Sequence, residues 1–248
     1  MSMMRLGLWN IDHPEYHHSA PRRNRRFDEI LTYLGQQDCD AYILTETNAA
    51  IDLAGYGASV SAESPYRNRS RCYESPNRYH QVGIFDRLKM ESVEIEEPVN
   101  GLLCKSIWHD KPLFVYGNVV TIKDQWSKDS DKKYSDRMQE QLDVLGRLSS
   151  RRCLIGGDFN LRLGWPQKKG AHDRVKAFVN HHGWVWPTET QTETVQHVIH
   201  SPDLVADVTI DSSVRHTKGK KDRLSDHPFV LVQVQDGEPK SNAAIAKS

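Results

Sequence analysis

Short apolar runs rich in β-branched and aromatic residues recur along the whole chain and limit what it can fold into. They are RLGLWNI at 5–11, AYILTET at 41–47, QVGIF at 81–85, LLCKSIW at 102–108, PLFVYGNVVTI at 112–122, RCLIGG at 152–157, VQHVIH at 195–200 and PFVLVQV at 228–234. Most have the length of a strand rather than of a helix. Several are apolar at successive positions, so both faces of the resulting sheets need cover. Three stretches with a helical period lie between them and can supply it. RRFDEILTYLGQQ puts Phe27, Ile30, Leu31 and Leu34 on one face, DRMQEQLDVLGRL does so with Met138, Leu142, Leu145 and Leu148, and DRVKAFVNHHG offers Val175, Phe178 and Val179 before Gly183 as a stop.

LLCKSIWHDKPLFVYG reads as an antiparallel hairpin turning near Asp110 and Lys111, so the sheets are expected to be mixed. The fold class is α/β (α+β), with mixed sheets covered by helices. No internal repeat and no linker rich in Pro, Gly or Ser divides the chain, which predicts one domain over 1–236 and a disordered tail over 237–248.

Charge narrows the function without choosing it. Thirty-three basic side chains balance thirty-three acidic ones, so the chain is no polycation that grips nucleic acid wherever it touches it. Any anion-binding surface must be local. The N-terminus lacks a basic start followed by an apolar run of about 7–15 residues, and no stretch nears the ~20 apolar residues of a membrane span. A cytoplasmic protein with no membrane partner is expected. Cys39, Cys72, Cys104 and Cys153 are widely spaced without a CxxC pair, which suits reduced thiols better than disulfides or zinc.

Polar groups cluster where four strands end: Asn10 and Asp12 in GLWNID, Glu46 in ILTETN, Asp158 and Asn160 in GGDFN, and Asp226 and His227 in RLSDHP. Each alone is ordinary turn composition, the paired glycines included. Together they form a set that hydrolysis of a phosphate ester can use. Hard oxygen ligands such as Glu46 and Asp226 suit Mg²⁺ or Mn²⁺. A carboxylate such as Asp158 can orient or deprotonate water, amides such as Asn10 and Asn160 can fix metal, water or phosphate, and His227 can hold the phosphate or move a proton.

The order WN, LTET, GGDFN and then SDH near the C-terminus resembles the endonuclease/exonuclease/phosphatase superfamily with its DNase I-like fold, over about residues 5–234. The resemblance implies a four-layer sandwich: two mixed β-sheets packed face to face with helices outside, and a Mg²⁺-dependent site at one edge. It assigns Asn10 and Glu46 to the metal, Asp158 and Asn160 to water and phosphate, Asp226 to the metal or water network, and His227 to the scissile phosphate.

Two departures stand out. Gln196 occupies the place where family members have an Asp that hydrogen-bonds the SDH histidine. Its oxygen can accept a hydrogen bond from His227 but brings no negative charge to stabilise an imidazolium. Where many members carry His or Tyr at the end of a central strand, this chain has Val119 or Val120, with Tyr116 too early in the strand. His197 and His200 are candidate substitutes, although the commoner fate of strand histidines is to face solvent.

Basic residues flank these motifs. PYRNRSRCYESPNRYHQ contributes Arg67, Arg69, Arg71 and Arg78 with Tyr66, Tyr73 and Tyr79 interleaved, and RHTKGKKDRLSDH places Lys220, Lys221 and Arg223 directly before the SDH motif. Cations beside aromatic rings suit a phosphodiester backbone with stacked bases, while a charge run can equally be a solvated loop. The leading expectation is a divalent-metal-dependent phosphoesterase, a nuclease on DNA or RNA. Two alternatives stay open: a phosphatase of a small phosphorylated molecule, and a catalytically impaired nucleic-acid-binding homologue. GGDFNLRLG also resembles the Asn-x-Arg pattern of inositol polyphosphate 5-phosphatases, but their PAWCDRIL segment has no counterpart. Oligomeric state is not legible.

Overall fold

The computed structural model describes residues 3–17, 24–62, 79–95, 100–120, 134–164, 169–214 and 224–237. The apolar runs become strands of two sheets. The six-stranded sheet has the order β10-β11-β1-β2-β4-β3, built from β1 (Met4–Asn10), β2 (Ala41–Asn48), β3 (Gly57–Val60), β4 (Tyr79–Asp86), β10 (Leu204–Asp211) and β11 (Phe229–Asp236). The five-stranded sheet has the order β5-β6-β7-β8-β9, from β5 (Glu91–Val93), β6 (Gly101–Trp108), β7 (Lys111–Val119), β8 (Cys153–Asp158) and β9 (Gln196–His200). Each sheet is mixed: β1 runs parallel to β2 and β7 parallel to β8, and every other pairing is antiparallel. Helix α1 (Arg25–Gln37) lies between β1 and β2, α2 (Tyr134–Gly146) between β7 and β8, and α3 (Lys169–His182) between β8 and β9.

Strand alternation sorts the side chains into layers. Met4, Leu6 and Leu8 of β1 meet Ile43, Val82 and Ile84 of their own sheet and Val115, Leu154 and Val198 of the other in one shared core. On the reverse face of the first sheet, Trp9, Tyr42 and Leu44 lie under Phe27, Ile30 and Leu34 of α1. On the reverse face of the second, Tyr116, Ile155 and Ile199 lie under Met138, Leu142 and Leu145 of α2 and Val175 and Val179 of α3. The result is helix, sheet, sheet, helices: the expected four layers. Full burial of each such aliphatic side chain stabilises by roughly 1.5–3 kcal/mol.

The paired glycines of GGDFN do not form a turn. Gly156 and Gly157 are buried inside β8. A Cβ on Gly156 would lie 2.1 Å from Leu8 Cδ2 of the facing sheet. Gly157, at φ +149°, would bring one to 2.0 Å from the Asn118 carbonyl oxygen. Gly156 thus lets the sheets approach closely, and Gly157 gives room to Asn118 of the neighbouring β7, just before the strand delivers Asp158. The hairpin between β6 and β7 forms as expected, its turn made by His109 and Asp110, both at positive φ, the conformation that matches the twist of the flanking strands. Strand β10 was not foreseen, because LVADVTID is only half apolar; its alternate residues are exposed, as suits a sheet edge.

Candidate active site

Strands β1 and β2 are parallel, as are β7 and β8, so each pair brings its polar C-terminal ends to one edge of its sheet. There Asn10, the last residue of β1, donates from Nδ2 to Oδ2 of Asp158, the last residue of β8, at 2.7 Å. This hydrogen bond ties the two sheets together at the site. The orientation of the Asn10 amide is fixed by its other end, where Oδ1 accepts the Asp12 N–H at 2.9 Å.

The SDHP segment is docked onto the same strand. Ser225 Oγ donates to the Asn10 carbonyl and accepts the His227 N–H at 3.0 Å, and Trp9 Nε1 donates to the His227 carbonyl at 3.1 Å. Arg26, from the first turn of α1, fastens both loops by donating to the carbonyls of Leu224 at 2.9 Å, Ile11 at 2.6 Å and Asp12 at 3.3 Å. Its guanidinium also lies 3.7 Å from the Asp12 carboxylate.

Asp158 is 1% exposed. Beyond the Asn10 bond it accepts the Asn160 N–H on Oδ1 at 2.8 Å, a turn that places Asn160 at φ +50° and lets its Nδ2 donate to the Val120 carbonyl at 3.0 Å. Burial pushes the Asp158 carboxyl above the usual carboxylate range; His227, the Asn10 amide and the Asn160 N–H pull against that, and the Glu46 charge adds to it. A carboxylate made more basic in this way is better suited to take a proton from water. His227, half-buried, holds Nε2 4.0 Å from Asp158 Oδ2 and 3.4 Å from Asp226 Oδ1.

Beside this group, Asp12, His13 and Glu46 converge, each offering a ligand atom within 4.8 Å of the others. His13 Nδ1 is 2.9 Å from Glu46 Oε2. Burial acts to raise the Glu46 carboxyl, but the His13 imidazole, the Asn10 amide and the His227 charge outweigh it and hold the group at about 2. Glu46 is therefore a carboxylate at any physiological pH. Two carboxylates and an imidazole in this space fit a small divalent cation. Asn10 turns its NH₂ towards Asp158 and its oxygen towards the Asp12 amide, and the tight group of candidate ligands is made by Asp12, His13 and Glu46. Asp226 lies outside the tight group.

Asn10, Glu46, Asp158, Asn160, Asp226 and His227 thus gather at one edge. The expected hydrogen bond from His227 to Gln196 does not form: Gln196 donates from Nε2 to the Pro228 carbonyl at 3.1 Å, and its buried Oε1 has no partner. Val119 and Val120 are buried, Val119 pairing with Asp158 across the strands; the polar side chain at this strand end is Asn118, buried with neither amide atom hydrogen-bonded. His197 and His200 do not face solvent. Both are buried, and His197 is held by the Leu161 carbonyl at 2.7 Å and Thr188 Oγ1 at 3.1 Å, with burial pushing its pKa down to about 4. The reason is position: β9 has the second-sheet core on one face and the inter-sheet core on the other. Trp184 and Trp186 pack in the core. Arg71, Arg78, Lys220, Lys221 and Arg223 lie outside the described residues, as do Tyr66 and Tyr73.

Sequence reasoning missed His13, Arg26 and Ser225. His13 directly follows the noted Asn10 and Asp12, and its adjacency to Asp12 in WNIDHP was the available signal. Arg26 had none, since it looks like any exposed helix cation.

A family model described as the Endonuclease/Exonuclease/phosphatase family matches residues 7–227. No curated protein sequence matches the chain. Among solved structures, a point variant of the 3′ phosphatase NExo from Neisseria, bound to a product DNA hairpin, is similar with TM-score 0.64 at 14% identity, covering 95% of this chain and 100% of that one. TDP2 from D. rerio complexed with a single-strand DNA product gives TM-score 0.59 at 16% identity, over 95% and 100%. The endonuclease domain of TRAS1, a telomere-specific non-LTR retrotransposon, gives 0.63 at 11%, over 94% and 99%. At these identities the structures attest the fold, and the family model covers both the GGDFN and the SDH corners; the chain belongs to the endonuclease/exonuclease/phosphatase family of hydrolytic phosphoesterases and nucleases.

Proposed function

We propose that this protein is a divalent-metal-dependent phosphodiesterase that hydrolyses DNA or RNA. The observation that carries the reading is Asp158: a buried carboxylate made more basic by its surroundings, held by Asn10 between the sheets, with His227 on one side and the Asp12, His13 and Glu46 group on the other. In the proposed reaction Asp158 takes a proton from water, and the water oxygen bonds to phosphorus as the bond from phosphorus to the leaving oxygen breaks. The leaving oxygen acquires a proton from solvent, and the products are a phosphate monoester and an alcohol. His227 Nε2 binds a non-bridging phosphoryl oxygen, and Asn160 holds the loop that aims Asp158. A Mg²⁺ or Mn²⁺ ion bound by Asp12 and Glu46 would supply Lewis acidity to the phosphoryl group.

Nucleic acid is favoured as substrate by the basic residues Arg71, Arg78, Lys220, Lys221 and Arg223 and by the DNA in the similar NExo and TDP2 structures. Cys39, Cys104 and Cys153, buried free thiols, suit a reducing compartment, and the cytoplasm is the proposed location. No helix among the described residues is long and apolar enough to cross a membrane.

Two other readings each have a specific observation. The orphaned Gln196 Oε1 and the valine strand end favour an impaired, binding-only homologue, and the likeness to a 3′ phosphatase, itself bound to a product DNA, favours removal of a phosphate from a monoester. End-labelled single-stranded and duplex DNA and RNA, incubated in Mg²⁺ and then Mn²⁺ with the wild type and with Asp158→Ala and His227→Ala, separate them. Cleavage by the wild type alone supports the proposal. Binding without cleavage favours the impaired homologue, and neither binding nor cleavage turns attention to small esters.

A further inference from the structure

His13 is an unusual residue to find where it lies. It is 5% exposed, its Nδ1 faces the Glu46 carboxylate, and its Nε2 lacks a hydrogen-bond partner. A buried polar atom left unpaired costs about 1–3 kcal/mol. The backbone adds to the cost, because Asp12 at φ +51°, His13 at φ +44° and Glu46 at φ +51° all sit in the left-handed region that residues other than Gly rarely adopt. The arrangement is firmly built: the His13 N–H donates to the Glu46 carbonyl at 2.7 Å, and Tyr79 packs edge-on against the imidazole at 5.2 Å between centroids.

His13 Nδ1 and Glu46 Oε2 lie 2.9 Å apart, the separation of an ion pair, while the buried Nε2 has no hydrogen-bond partner. A nitrogen lone pair and a carboxylate oxygen this close repel unless a positive charge lies between them, and with Asp12 also within 4.8 Å a shared cation can supply it. Adjacent ligands of an octahedral ion with bonds of roughly 2.1 Å lie about 3 Å apart, which matches. We propose that His13 is a nitrogen ligand of the divalent-cation site and that it makes the site prefer first-row transition ions, with Mn²⁺ as the probe, over Mg²⁺. The inference rests on the metal-dependent reading above and adds its metal selectivity. Mg²⁺ favours oxygen donors and keeps its waters, whereas imidazole is a better donor to transition ions. Among the described residues, Arg26 near Asp12, the half-buried His227 and the buried Asp158 are charged or titratable groups beside the cluster, and none of them supplies a partner for His13 Nε2.

His13→Asn is the informative variant, since Asn tolerates the left-handed backbone and sets an amide atom close to the place of Nδ1. Mn²⁺ binding to the full chain would be titrated by EPR, directly and in competition with Mg²⁺, for the wild type, His13→Asn and Glu46→Gln, with thermal melts to verify folding. The ratio of Mg²⁺ to Mn²⁺ dissociation constants should fall by about tenfold or more in His13→Asn. Pulsed EPR of the Mn²⁺-loaded wild type should show ¹⁴N coupling from a coordinated imidazole, absent in the variant. An unchanged ratio, or a wild type without ¹⁴N coupling, overturns the role of His13; if Glu46→Gln still abolishes binding, the metal-dependent reading survives. A wild type that binds neither ion overturns both.

Discussion

Replacing Asn10 by Ala should produce a stability loss that grows with pH. The amide donates to one oxygen of a buried carboxylate at 2.7 Å, and a hydrogen bond to a charged group contributes about 1.5–3 kcal/mol. Burial already holds the Asp158 pKa above its ordinary 3.8, so ionising the group works against the folded state: the stability present below 3.8 is lost as pH rises through the folded pKa. The Asn10 amide limits that loss. Without it the carboxyl moves higher still, and the deficit of the variant relative to wild type should rise from acid to alkaline pH by about 1.5–3 kcal/mol. For a chain of this size that corresponds to about 3–12 °C in Tm. The Asp12 N–H, also orphaned by the change, adds a loss that does not depend on pH. Glu46, with its pKa at about 2, contributes below the window of interest, and the slope from His197 is common to both proteins, so the pH dependence of the deficit above 3.8 belongs to Asp158. Urea denaturation in chelator across this range measures it, and the acid limb of the pH–rate profile should move to higher pH in the same variant. A deficit that is flat above 3.8 would refute the account of Asp158.

Other consequences follow from the packing and from His197. Gly156→Ala drives a methyl against Leu8 and should cost about 1–3 kcal/mol. Leu8→Ala alone should cost about 2–5 kcal/mol, and the double variant should lose less than the sum by about 0.5–3 kcal/mol; strict additivity in chemical denaturation would contradict the close approach of the sheets. His197 is buried with its pKa down at about 4 from 6.5. Because its folded pKa is depressed, the stability it confers is present above 6.5 and is lost as pH falls through 4, a loss on the order of 3 kcal/mol. His197→Gln should flatten that acid slope in urea melts, and a slope as steep as wild type would show that the ring does not carry it.

The layers were legible because they rest on periodicity. Leu6 and Leu8 against Trp9, or Ile155 against Leu154, are apolar on both faces of a strand, which only a covered sheet can satisfy. Edge strand β10 escaped because Asp207 and Thr209 break the apolar run where one face meets water. At the candidate site, residues within a recognisable motif are legible in the sequence, and residues acting through space are not. Asp158 and His227 announce themselves in GGDFN and SDHP, but the Asn10–Asp158 bridge joins residues 148 positions apart, and Arg26 reaches Leu224 across 198. The paired glycines misled because a turn and a crowded strand call for the same residue, one for its φ and the other for its missing Cβ. His13 is hard to read from sequence because adjacent residues in a regular strand diverge in direction, a rule that the left-handed backbone at 12 and 13 breaks.

The central claim is that Asp158 activates water for attack at phosphorus. Single-turnover hydrolysis of a short oligonucleotide in ¹⁸O-water, with the products resolved by mass spectrometry, tests it directly. The account predicts one ¹⁸O in the product phosphate and none in the alcohol for the wild type, with no labelled product from Asp158→Ala. Label in the alcohol, or equal incorporation by Asp158→Ala, would contradict it.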